Sequence, residues 1–396
     1  SFCSVINAQS NNDPVLEKAL KSTGIKSKNV GIAVYDIKNK KQVYSFNSDR
    51  LFSIASVNKL FITAASLKYL GQDFRFKTII SGKGPDKNGI VKGDIYIKGS
   101  GDPLFVSENM WYLVNMLYNI GVRSIEGDII LDNTMFPAKN IYEEDGDRAY
   151  NSKVSALSVN FNSIAVNVVS GSVPHVSIDP KVSSIGLLDK TQNSQSKNDV
   201  EIRRVSDDIV VSGNIDNREY SLKTIYRNID DPISYFKEVL LLHMSWRDML
   251  LSGGVHSGKV PSREKVLFEM DSRRLNDILV EMNKFSNNFI SEQLMRAFVY
   301  KLKGVVDEKT FSELMSDYFR EVGLDPDSFE VVNASGFSRM NKTKPSDFVK
   351  FLATVYDDFQ TGPEFVNSLP ISGVDGTIRR THSGASVKGK IRAKTG

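Results

Sequence analysis

The chain is poor in the residues that most often announce a mechanism. Its 396 residues include one cysteine, Cys3, so an internal disulfide and any multi-cysteine metal site are excluded. The four histidines (His175, His243, His256 and His382) are scattered, with none of the spacings that hold a metal ion. A metal centre or a histidine-based triad is therefore poorly supported, and no cofactor is expected. No apolar run approaches the roughly 18 residues of a membrane-spanning helix. Charge is nearly balanced, with 51 basic and 47 acidic residues and a net charge of +4. Lysines and arginines are spread along the chain rather than gathered into a patch, so nothing calls for a nucleic-acid partner. The opening residues, Ser1 to Gln9, read either as the tail of an export signal ending in a small residue or as an ordinary terminus.

What remains is an ordinary globular composition, 40% apolar and 25% charged, long enough for two or three domains. Val30–Asp36 and Gln42–Phe46, around the polar turn Lys38-Asn39-Lys40, read as a β-hairpin. Val57, Leu60, Phe61, Ala64 and Leu67 recur at helical spacing and Gly71 supplies a stop, which places Ser56 at the start of a helix with one face in the core. From 75 to 262 short apolar runs alternate with turn signals. This predicts a β-rich insert, with a single helix over Ile233–Leu250 and a mobile polar loop over Asp189–Asp199. Helical periodicity returns after 262, with a polar connector at Lys284–Asn288. A strand near Phe329–Val332 and a helix opened by Pro345 follow. The order predicts an α/β (α+β) domain built from residues 9–74 and 263–396, split by an insertion of one or two subdomains at 75–262.

Ser56-Val57-Asn58-Lys59 sets an amine on the same helical face as a hydroxyl, one turn away. A serine hydroxyl needs a base to become a nucleophile, and the first turn of a helix favours developing negative charge. Ser-x-x-Lys alone arises often by chance, as an N-cap serine beside a solvated lysine. Two further triplets change its weight. Ser286-Asn287-Asn288 offers a hydroxyl to relay a proton and an amide to hold a substrate backbone. Lys394-Thr395-Gly396 offers a cation and a hydroxyl for a carboxylate, with a glycine that admits substrate to a strand edge. Their order matches that of β-lactamases and penicillin-binding proteins, with Asn287 where Asp is usual. Ser158-Val159-Asn160 is a competing triplet, set aside because it falls in the β-rich insert.

The 230 residues between Ser56 and Ser286 are too many for a compact β-lactamase. With Ser100-Gly101-Asp102-Pro103, Ser155–Asn160, Ser335-Gly336-Phe337-Ser338-Arg339 and Gly373-Val374-Asp375-Gly376-Thr377, the chain from about Asn29 onward resembles the class C low-molecular-mass penicillin-binding proteins of the penicillin-binding protein 4 type. The resemblance implies a penicillin-recognising serine transpeptidase-like fold and D-alanyl-D-alanine carboxypeptidase/endopeptidase activity on peptidoglycan stem peptides in the periplasm or cell envelope. It implies Ser56 as nucleophile, Lys59 as general base and Ser286 as proton relay, with Asn288 on the substrate amide and Lys394 and Thr395 on the terminal carboxylate. β-Lactams would acylate Ser56 as substrate mimics. Asp145, Tyr150 and Arg339 would line a side pocket for the free end of a diaminopimelate side chain; alternatively they are two surface residues of the insert and a structural arginine. Rival readings are a β-lactamase or esterase of the same chemistry and a catalytically silent cell-wall-binding homologue. Oligomeric state is not legible.

Relatives of this type continue past the Lys-Thr-Gly strand into further strands and a helix, and a backbone N–H just after that glycine completes the oxyanion hole. Losing one such donor costs about 10²–10³ in rate. A protein ending at Gly396 is therefore expected to take up a fluorescent penicillin weakly or not at all; full labelling in a gel assay contradicts this.

Overall fold

The computed structural model describes residues 14–136, 139, 146–380 and 386–396. Its helices in chain order are α1 (Pro14–Thr23), α2 (Lys59–Leu70), α3 (Ser107–Asn119), α4 (Pro232–Ser245), α5 (Leu275–Phe285), α6 (Asn288–Lys303), α7 (Glu308–Glu321), α8 (Pro345–Asp357) and α9 (Gly362–Ser368). The chain separates into two compact units, one comprising Ser1–Asp73, Leu275–Asn287 and Lys301–Gly396, the other Phe74–Arg274 and Asn288–Tyr300.

In the first unit, the expected hairpin forms from antiparallel strands Ile32–Asp36 and Lys41–Phe46. The Asp36 carboxylate accepts the Asn39 N–H at 3.0 Å, and Lys40 takes the left-handed backbone (φ 52°) that closes the turn. Phe329–Glu330, Lys342–Thr343 and Phe52–Ser53 pair antiparallel in that order and lead into the segment carrying Ser56. The following helix, α2, is not the half-buried helix its periodicity suggests. Every residue from Lys59 to Leu67 is buried, because the first unit surrounds it. Phe61 is fully buried and meets the rings of Phe319, Phe329, Phe348 and Phe351 edge-on, with centroids 4.7–5.5 Å apart. Gly71, at φ 91°, ends the helix in a conformation that a side chain resists. In α5, Asn283 donates to Thr63 Oγ1 on α2 (2.9 Å) and to Ser368 Oγ at the end of α9 (2.8 Å).

The second unit is sheet-rich. A five-stranded sheet runs Val255–Ser257, Ile129–Asp132, Ile95–Lys98, Lys77–Gly82, Val266–Asp271, parallel across its first three strands and antiparallel across the rest. Ile80, Ile95, Ile97, Ile129 and Leu131 from this sheet share a core with Met110, Leu113 and Leu117 of α3 and Phe236, Val239 and Leu240 of α4. Ser163–Ser170 is the centre of an antiparallel sheet between His175–Asp179 and Ser221–Asn228. Asp208–Asp216 is the centre of another, parallel to Leu187–Ser194 and antiparallel to Glu201–Val205.

Several sequence expectations change here. The insert holds a second helix, α3, whose Met110, Leu113, Val114 and Leu117 are buried at helical spacing. The helix expected over Ile233–Leu250 stops at Ser245. The chain turns at Asp248 (φ 51°), and Leu250–Leu251 pairs as a strand with Ser124–Ile125. Residues 189–194 of the expected mobile loop form a strand that is polar because its side chains are mostly exposed. Val266–Asp271, expected to belong with the helices after 262, pairs with Lys77–Gly82 in the second unit's sheet. The connector between α5 and α6 shrinks to Ser286 and Asn287. Ser158 and Asn160 are tied into the second unit: Ser158 Oγ donates to the Ser155 carbonyl, and Asn160 bonds Ser107 through both ends of its amide.

Phe61→Ala should destabilise the first unit by about 3–5 kcal/mol, the usual cost of emptying a buried aromatic site. Chemical denaturation followed by fluorescence measures this, and a loss below about 1 kcal/mol contradicts the central placement of α2.

Candidate active site

Ser56 enters the first unit's core on a strained turn. Ala55 before it has φ 46°, a left-handed conformation that costs an alanine about 1–2 kcal/mol, and Ala55–Asn58 form a 3₁₀ turn running straight into α2. Ser56 is half-buried, whereas Lys59 is completely buried. Lys59 Nζ donates to Ser56 Oγ at 3.0 Å and to the Ser335 carbonyl at 2.6 Å. An amine without water needs such acceptors for its N–H groups, and the segment supplying the second one is tightly specified. Asn58, fully buried, donates to the Asn333 and Ala334 carbonyls at 2.8 and 3.1 Å. Asn341 Oδ1 accepts the Val332 N–H at 2.9 Å, and its amide donates to Asn333 Oδ1 at 2.7 Å. Gly336 has φ 77°, and a Cβ there would stand 1.9 Å from the Ala55 carbonyl oxygen. Only glycine fits against the turn that carries Ser56.

The second serine is also strained. α5 ends with the Asn287 N–H bonded to the Met282 carbonyl at 2.9 Å, and Ser286 takes the left-handed position (φ 55°) usually given to glycine in such a cap. The Ser286 hydroxyl accepts from Lys394 Nζ at 2.7 Å, and the same ammonium donates to the Thr395 carbonyl at 2.6 Å. Burial lowers the Lys394 pKa to about 8. The Thr395 and Thr377 hydroxyls share a hydrogen bond of 3.0 Å. The first unit thus contains two serine–lysine pairs, Ser56–Lys59 from adjacent turns and Ser286–Lys394 from distant segments. The strand expected for the Lys-Thr-Gly segment is not formed: residues 394–396 lie outside any strand, and only an isolated bridge between Ile371 and Arg392 precedes them.

The remaining candidates are more dispersed. Asn288 opens α6 and belongs to the second unit. Tyr150 lies exposed on a 3₁₀ turn of that unit, Arg339 is exposed in the first, and Asp145 lies outside the described residues. Among the described residues no group of three or more His, Cys, Asp or Glu side chains is placed to hold a metal ion, and no helix is long and apolar enough to cross a membrane. The Ser335 carbonyl and the Thr377 hydroxyl belong to no catalytic triplet; their mark in the sequence is the neighbouring glycines, Gly336 and Gly376, which the structure holds at positive φ.

A fold mixing helices and several sheets, with a half-buried serine beside a fully buried lysine at the head of its central helix, is that of the penicillin-recognising peptidases. The chain belongs to the D-Ala-D-Ala carboxypeptidase 3 (S13) family, whose profile matches residues 13–396. It is 27% identical over 410 aligned positions to a D-alanyl-D-alanine carboxypeptidase of Actinomadura sp. (strain R39), covering 97% of this chain and 74% of that protein. It is 23% identical to the D-alanyl-D-alanine carboxypeptidase DacB of Haemophilus influenzae, covering 88% of this chain and 75% of that protein. The crystal structure of penicillin binding protein 4 (dacB) from Haemophilus influenzae superposes with a TM-score of 0.77 at 20% identity, covering 92% of this chain and 83% of that one, a likeness of fold.

Proposed function

We infer that this protein is a serine D-alanyl-D-alanine carboxypeptidase/endopeptidase that cleaves peptidoglycan stem peptides through an acyl-enzyme on Ser56. The observation that carries the reading is the 3.0 Å contact between Ser56 Oγ and the fully buried Lys59 amine, in a chain of the S13 family.

Desolvation favours the neutral, proton-accepting form of a buried amine. Lys59 Nζ takes the Ser56 proton as Oγ attacks the carbonyl carbon of the penultimate D-alanine. When the tetrahedral intermediate collapses, the C–N bond breaks and the leaving amine takes a proton through Ser286 Oγ. Water then attacks the ester and releases the shortened peptide. Lys394 and Thr395 hold the terminal carboxylate, by charge and by hydroxyl donation, and Asn288 binds the substrate amide. A β-lactam follows the same first step, opening its ring onto Ser56. For the free end of a diaminopimelate side chain the proposed recognition groups are Arg339, a guanidinium for its carboxylate, and Tyr150 and Asp145, the latter a carboxylate for its amine. That substrate supports a location in the periplasm or cell envelope.

Incubation of the full-length protein with penicillin should add one penicillin mass to the wild type and none to Ser56→Ala; an adduct that survives the substitution removes Ser56 from its role. A second expectation follows from Lys394. Its pKa of about 8 leaves the ammonium charged below that pH and discharged above it, so carboxylate binding is present below and lost as pH rises through 8. The kcat/KM for a peptide ending in D-alanyl-D-alanine should therefore fall above about pH 8, while the peptide with an amidated C-terminus lacks that limb. Identical profiles for the two peptides would separate Lys394 from the carboxylate.

A further inference from the structure

The segment 370–378 contacts near neighbours of both members of the Ser286–Lys394 pair, Lys284 on one side and Thr395 on the other. Asp375 Oδ2 is 2.5 Å from Lys284 Nζ, at the end of α5 and two residues before Ser286. Asp375 Oδ1 is turned by the Ile371 N–H at 2.8 Å, so both carboxylate oxygens are committed. Gly376, at φ 58°, brings the backbone so close that a Cβ would stand 2.7 Å from the Lys284 carbonyl oxygen. One residue on, the Thr377 hydroxyl meets the Thr395 hydroxyl at 3.0 Å. The same segment is joined to the chain leading into Lys394: the Ser372 N–H donates to the Ile391 carbonyl at 2.9 Å and the Ala393 N–H to the Pro370 carbonyl at 3.1 Å.

Traced in order, these contacts close a ring: Ser286 to Lys394, Thr395 to Thr377, then Gly376, Asp375, Lys284 and back along the backbone to Ser286. Ser286 needs such support, because its left-handed backbone is one that serine adopts only when its surroundings impose it. We propose that Asp375 is a positioning residue that sets two functions at once: through Lys284 it fixes the Ser286 hydroxyl, and through Thr377 it fixes the carboxylate-binding Thr395. Burial disfavours the Asp375 charge, yet the Lys284 ammonium and the Ile371 N–H outweigh it and hold the carboxyl below its usual range. The pair is partly open to solvent, with side chains 19% and 31% exposed, and ion pairs of that kind add little to stability. Its effect should therefore appear in reactivity rather than in melting temperature.

The proposal rests on the acyl-enzyme reading, and the experiment separates the two. Acylation of the full-length protein by a fluorescent penicillin is resolved into the dissociation constant of the first complex and the first-order acylation rate, with melting temperatures recorded in parallel. Lys284→Met should slow acylation about tenfold with binding within about twofold, while Thr377→Val should weaken binding about fivefold with the acylation rate within about twofold. Asp375→Asn should do both and shift the melting temperature by no more than about 4 °C. Adding Asp375→Asn to Lys284→Met should slow acylation no further, and Lys284→Arg, which keeps the charge, should stay within about threefold of wild type. The proposal is overturned if Asp375→Asn matches wild type in both constants, if its effect on acylation simply adds to that of Lys284→Met, or if Lys284→Arg is as slow as Lys284→Met. Failure of the underlying reading has a different signature, a wild-type protein that takes no label on Ser56.

Discussion

A fully buried lysine amine one turn from a serine hydroxyl constrains everything around it. An amine removed from water is costly unless its N–H groups find acceptors, so Lys59 requires oxygen atoms at fixed places. Ser56 is one and the Ser335 carbonyl another. The second requirement reaches far from α2. It calls for Asn58 and Asn341 to fold the 331–341 segment and for glycine at 336, where any Cβ would strike the Ala55 carbonyl. Ser56 and the acceptors of the Lys59 amine are thus set by one packing solution.

That solution carries strain. Ala55 and Ser286 both occupy left-handed backbone that their side chains disfavour, one beside the proposed nucleophile and one at the proposed relay. The cost is offset by ordinary burial. α2 is enclosed, Phe61 sits among four aromatic rings, and Asn283 ties α5 to both α2 and α9. A closely packed core holds Ser56 and Ser286 in positions that an isolated peptide would leave.

Much of this was legible beforehand, for reasons that differ by element. The hairpin near residue 40, the stop at Gly71 and the helix opened by Pro345 are local, and their signals are local. α3 was equally legible from Met110, Leu113, Val114 and Leu117, but the turn signals flanking it drew the reading toward strands. Leu187–Ser194 was not legible, since its polar, exposed side chains carry no strand pattern and only pairing with Asp208–Asp216 makes it one. Val266–Asp271 likewise owes its place to a partner strand almost two hundred residues earlier in the chain. At the site, Thr377 and Asp375 were visible only as parts of a glycine-rich flank; their partners, Thr395 and Lys284, had to be seen.

The amino-acid order by itself determined the Ser56–Lys59 pair, because three residues along a helix bring two side chains to one face whatever surrounds it. It also determined which chemical groups were available: two serines, two lysines, and no histidine or cysteine cluster to compete with them. Only the tertiary structure decided that Lys394 reaches Ser286 across 108 residues and that the Ser335 carbonyl reaches Lys59 across 276. It alone partly buried Lys394 and so lowered that amine's pKa. Helical neighbours are fixed by backbone periodicity, whereas distant contacts and desolvation exist only once the whole unit has packed.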